Sequence, residues 1–165
     1  MDDSLENSQF GKLSFQLNCQ KDCINVLSSM AEVMAHRAGL CRREGNRVVL
    51  AVNELYANIV EHGYANHPGR VEFNTKIHKN EAGNDELHFD FRDYAEPLED
   101  ASVYLPCPSG KQGELKAGGL GVGLICSIMD VFRHEKLGDG NLWHLVYECH
   151  PDKNGVKARG QSDEI

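Results

Sequence analysis

The stretch from Ala51 to Tyr64, AVNELYANIVEHGY, carries an apolar stripe at helical spacing, interrupted by polar residues that a helix interior seldom uses. Together with one turn upstream, Val48, Val52, Leu55 and Ile59 fall on one side of a helix from about Arg42 to His62, with Gly63 as its stop. At about 100° per residue, Glu54 and Asn58 form a neighbouring stripe roughly a quarter turn away, at the edge of the core. An asparagine side chain competes for backbone hydrogen bonds, so Asn58 marks either a solvated flank or a specific polar contact. In the second case its amide oxygen suits Mg²⁺, and Glu54, one turn earlier, supplies a carboxylate able to act as a base.

Outward from this helix, the chain alternates between the two regular periods. Residues 12 to 18 alternate apolar and polar side chains and predict a half-buried strand. From Lys21 to Ala38, Ile24, Leu27, Met30, Ala31 and Met34 recur at helical spacing, and Gly39 follows as a stop. Val71 to His78 and Glu86 to Asp93 read as a β-hairpin turning around Asn80 to Asp85. Tyr94 to Ala117 shows no period, and a loop of that length inside one domain predicts a functional lid. A short apolar helix is expected after the glycine run, as far as about Asp130. Strands Val131 to Leu137 and Leu142 to Glu148 then turn at Gly138 to Asn141.

At 165 residues and 41% hydrophobic content the chain is the size of one domain with one core. Residues 1–150 are read as that domain and 151–165 as a polar tail. The start, Met1-Asp2-Asp3-Ser4, is acidic, and no apolar run reaches the roughly 18 residues of a membrane span. A cytoplasmic protein with no membrane contact is expected. A formal charge of −8 repels phosphate backbones and argues against direct nucleic-acid binding, whereas an acidic surface suits a basic protein partner. The 6 cysteines have neither a CxxC pair nor zinc spacing and are expected to be reduced.

Two further stretches bear on chemistry. In KAGGLGVGL, Lys116 to Leu124, glycines would let backbone N–H groups approach an anion at a helix start, although tight helix packing or a hinge would use the same residues. It is neither a Walker motif nor a dinucleotide fingerprint, since no Gly-Lys-Ser/Thr follows and no strand immediately precedes it. Asp93 closes the strand HFDFRD, where an acceptor-only carboxylate could either shape a turn or receive a hydrogen bond from an exocyclic amine such as that of adenine.

In this order, a helix with Glu-x-x-x-Asn, a strand ending in Asp, a long lid and a glycine-rich helix start resemble the GHKL (Bergerat) ATP-binding family. NELYANIVEHGY and KAGGLGVGLI look most like the asparagine box and second glycine box of its anti-sigma factor serine kinases, over about residues 10 to 150. The resemblance implies a general base in Glu54, a Mg²⁺ ligand in Asn58 and an adenine-selecting carboxylate in Asp93. It places His62 near the nucleotide, Gly119, Leu120, Gly121 and Gly123 beside the phosphates, and Lys116 at the terminal phosphate. Two departures are visible. The family's usual Asp-x-Gly is Asp93-Tyr94-Ala95 here, which is expected to bring a methyl group against adenine. A threonine that often helps hold adenine gives way to Trp143 and His144.

The resulting expectation is an α/β two-layer sandwich of the Bergerat type, its mixed, mostly antiparallel sheet covered on one face by helices. The implied activity is an ATP- and Mg²⁺-dependent serine/threonine protein kinase acting as an anti-sigma factor. It would phosphorylate an anti-sigma-factor antagonist, sequester a sigma factor and form a homodimer. The rival reading is a nucleotide-gated binding module that switches partners without transferring phosphate. A histidine kinase would need a helical hairpin bearing a phospho-accepting histidine, and none precedes the motifs in this chain.

Overall fold

Alternating side chains build a five-stranded sheet with one apolar face. The computed structural model of the protein describes residues 12–18, 20–98 and 119–150. The strands are β1 (Lys12–Leu17), β2 (Val71–Lys79), β3 (Asp85–Asp93), β4 (Val131–Leu137) and β5 (Gly140–Glu148), in the spatial order β1-β2-β3-β5-β4. All four pairings are antiparallel, as the expected mostly antiparallel sheet requires. Register sets Phe73 opposite Phe91 and Phe91 opposite Trp143. Period-two alternation therefore sends Phe73, Phe89, Phe91 and Leu145 to the same face, where they are fully buried.

Helices cover that face. A 3₁₀ turn, Lys21–Cys23, leads into α1 (Ile24–Arg37), and α2 (Arg42–Asn58) packs beside it. Helix α1 ends in a Schellman pair of bonds, Gly39 N–H to the His36 carbonyl and Leu40 N–H to the Ala35 carbonyl, each 3.0 Å. The core seals Leu27, Met34, Val48, Val52 and Leu55 against the sheet phenylalanines. The predicted stripe on α2 is the stripe that is buried.

The end of α2 differs from the expected α-helix to His62. After Asn58 the chain widens into one π turn, Ile59–Gly63, because Tyr64 N–H reaches back five residues to the Ile59 carbonyl at 3.0 Å. Helix α3 (Gly119–Ile128) also begins earlier than expected, with Gly119, Gly121 and Gly123 inside the helix rather than ahead of it.

The β4–β5 turn contains Gly140 at φ +148°, where a side chain would overlap the Asp93 carbonyl oxygen and lie 2.9 Å from Tyr94 Cα. Gly138 faces open space. Gly140→Ala is therefore expected to cost roughly 2–3 kcal/mol in urea denaturation, through backbone strain and displacement, while Gly138→Ala should stay within about 1 kcal/mol. Similar small losses for both would show that this close approach is not maintained.

Near the far end of β5, burial pushes the Tyr147 phenol and the Cys149 thiol up from ordinary values of 10.0 and 9.0 to about 12 each. The neighbouring carboxylates, Glu44 beside Tyr147 and Asp85 beside Cys149, push the same way. Above pH 9 the folded chain thus holds protons that the unfolded chain releases, so stability is fully present below pH 9 and falls as pH rises towards 12. The urea midpoint should decline over that window, less steeply in Tyr147→Phe. An unchanged slope in the variant would remove Tyr147 as a contributor.

Candidate functional site

A cavity of about 240 Å³ opens where the end of α2 meets the ends of β3, β4 and β5. Leu55, Asn58, Ile59 and His62 line it from the helical side. Asp93, Phe132, Asn141 and Trp143 line it from the sheet, and Glu96, Pro97 and Leu98 from the segment that follows β3. The π turn contributes here, since it carries His62 and Gly63 to the rim. Tyr64 fixes that end of α2 to the sheet: its hydroxyl accepts the Tyr94 N–H at 2.8 Å and donates to the Arg70 carbonyl at 2.5 Å.

Asp93 ends β3 with its side chain turned inward and only 1% exposed. A buried carboxylate needs donors, and three reach it. Ala95 N–H and Asn141 Nδ2 donate to Oδ1 at 3.1 and 2.9 Å, and Trp143 Nε1 donates to Oδ2 at 2.7 Å. Trp143 is held in place by Phe132, stacked at 6.1 Å between ring centroids, and by His134 at 4.3 Å. Asn141 continues the network, its Oδ1 accepting the Leu98 N–H at 3.0 Å and facing His134 Nε2 at 2.9 Å.

On the helical side, α2 and α3 meet at a glycine. A Cβ added to Gly121 would lie 2.8 Å from Glu54 Oε2 and 3.5 Å from Asn58 Nδ2, so this approach depends on the missing side chain. Glu54 and Asn58 are half-buried. The carboxylate, the amide and the first turn of α3 consequently share one space. A helix start has N–H groups without intrahelical partners and a dipole favouring anions. A phosphate chain could be held here, with the Asn58 amide oxygen available to an accompanying Mg²⁺. At the Asp93 end the acceptors of the carboxylate are largely in use by the protein itself.

Asn58, His62 and Asp93 thus line the cavity, while Glu54 and Gly121 meet beside Asn58 without lining it. Gly123 lies further along the same helix, at its fifth position, and Gly119 and Leu120 begin it. Lys116 and most of the expected lid lie outside the described residues. Two expectations are corrected. Ala95 is buried with its methyl towards Gly63, where an added Cβ would come within 3.4 Å, and it does not line the cavity. His144, by strand alternation, lies on the opposite face of the sheet from Trp143 and pairs with Asp90. Asn141 was not anticipated, because an asparagine after Gly138-Asp139-Gly140 looks like an ordinary turn residue.

The family model described as the histidine kinase-like ATPase domain matches residues 20–146, and the chain belongs to that family. No curated protein matches the sequence. Among solved structures, the chain is similar to one in the SiaB-SiaC complex from Pseudomonas aeruginosa, with a TM-score of 0.56 and 13% identity over 83% of this chain and 88% of that one. It is also similar to the histidine kinase domain of the blue-light activated histidine kinase from Erythrobacter litoralis EL346, with a TM-score of 0.45 and 13% identity over 75% of this chain and 59% of that one. Among the described residues, no helix is long and apolar enough to cross a membrane.

The contact between α2 and α3 is open to a double-mutant test. Gly121→Ala should cost roughly 1–3 kcal/mol by pressing a methyl group against Glu54, and Glu54→Ala should relieve most of that cost. Equal costs in both backgrounds, measured by urea denaturation, would mean that the two residues are not neighbours.

Proposed function

We propose that the chain is an ATP- and Mg²⁺-dependent serine/threonine protein kinase that acts as an anti-sigma factor in the cytoplasm. The observation that carries the reading is the meeting of Glu54 and Asn58 with Gly121, in a member of an ATPase domain family. Phosphoryl transfer needs positioning and charge neutralisation more than covalent help from the protein. In this reading the glycines at the start of α3, with Leu120 between them, and Lys116 hold the phosphates. Asn58 holds Mg²⁺, and His62 lies at the nucleotide's edge. Glu54 takes the proton of a substrate hydroxyl as its oxygen attacks the terminal phosphorus and ADP departs. The substrate would be an anti-sigma-factor antagonist, the sequestered partner a sigma factor, and the working form a homodimer. Similarity to a chain from a two-protein complex agrees with a protein partner.

A second reading, a nucleotide-gated switch that binds partners without transferring phosphate, is favoured by one observation. The carboxylate that would read adenine already has three donors from its own chain.

The deciding experiment supplies labelled ATP and candidate antagonists. Glu54→Gln should keep ATP affinity while transfer falls by roughly 10² to 10⁴. Asn58→Ala should lose Mg²⁺-dependent binding together with transfer. A wild-type protein that binds ATP and partners yet phosphorylates none of them would select the switch.

A further inference from the structure

The polar network around Asp93 raises a question that nucleotide binding alone does not answer. A carboxylate has roughly four lone-pair sites for hydrogen bonds. On Asp93, Oδ1 receives two donors, Ala95 N–H and Asn141 Nδ2, and Oδ2 receives Trp143 Nε1 at 2.7 Å. The one lone pair left belongs to Oδ2. Although Asp93 borders the cavity, it is only 1% exposed, so this remaining lone pair is closed to a ligand while the indole, itself 6% exposed, holds the same oxygen. The short distance and the charge make this the strong kind of hydrogen bond.

We infer that Trp143 is the specificity-determining residue of the base site: its indole N–H occupies the Asp93 acceptor that an exocyclic amine would use, and an aminopurine enters by displacing it. This inference rests on the ATP reading above and deepens it. Exchanging one donor for another leaves the carboxylate with the same number of bonds, so the amine contributes little net affinity. The wild-type site therefore distinguishes adenine from guanine weakly, and binding is carried mainly by the phosphate end. A carbonyl at the equivalent position of guanine offers no donor, and the indole need not yield to it. Phe132 and His134 hold the ring from its neighbouring strand, so a phenylalanine in place of Trp143 keeps an aromatic ring between them while removing the competing donor.

The test compares ATP and GTP binding by calorimetry, in Mg²⁺, for the wild type and Trp143→Phe. ATP affinity should rise roughly tenfold in the variant while GTP affinity stays level, widening the ratio by the same factor. Wild-type binding of ATP with no gain, or a loss, in the folded variant would overturn the inference and leave the ATP reading intact. Failure of the wild type to bind either nucleotide would overturn both. Because Trp143 is the only tryptophan of the chain, its indole N–H also gives a single resonance, separate from the backbone amides, in the intact wild type, independent of whether the variant folds. Saturating ATP should move that resonance upfield as the carboxylate partner is lost, while ribose 5′-triphosphate should leave it in place. An indole resonance unmoved by ATP, with the Gly121 amide shifting, would show that the base enters without displacing Trp143 and would reject the inference alone.

Discussion

The buried charge of Asp93 is the constraint on which the rest of this end of the molecule depends. An isolated carboxylate in an apolar setting costs several kcal/mol unless donors surround it. Its donors come from the backbone two residues on and from two side chains on β5, so the pairing of β3 with β5 has to set Asp93 opposite Asn141 and Phe91 opposite Trp143. A slip of one residue would turn both side chains to the other face and strand the charge. Electrostatics and apolar burial thus demand the same register, since Phe91 and Leu145 reach the core only in it.

Helix α2 joins this charged end to the glycine-rich start of α3. One stripe of the helix packs on the sheet, and the adjacent stripe, with Glu54 and Asn58, meets Gly121. The π turn then brings His62 and Gly63 to the cavity, and the Tyr64 hydroxyl ties the same chain end to the backbone just after Asp93. The Gly121 contact and the helical side of the cavity are therefore placed by one continuous helical run. Shifting α2 along its axis would disturb the Gly121 contact and the Asp93 surroundings together.

What could be read from the sequence follows from this division. The stripe of Val48, Val52, Leu55 and Ile59 was legible because burial of a helix face depends on one period within one element. The strands were legible for the same reason, and Glu54, Asn58 and Asp93 stood out because residue type and chain order marked them. Trp143 as the partner of Asp93 was not legible in that way, for the contact joins residues fifty positions apart and depends on register. Ala95 was misplaced because a two-residue motif does not reveal that its methyl faces Gly63. The π turn depends on where Tyr64 N–H finds its acceptor, which no local propensity specifies.

Asn141 shows how far a single carboxylate orders its surroundings. Asp93 can only accept when ionised, so the Asn141 amide must present Nδ2 to it, which turns Oδ1 towards His134 and Leu98. An amide oxygen cannot donate, and His134 must therefore carry its proton on Nε2. In the neutral ring Nδ1 is then a bare lone pair, which agrees with its being buried without a hydrogen-bond partner among the described residues. The same amide also holds Leu98 N–H and contacts the Glu96 carbonyl at 3.4 Å. The Asp93 end of the cavity and the beginning of the segment that follows β3 consequently share one side chain, so a change in what Asp93 binds reaches Leu98 through a single residue.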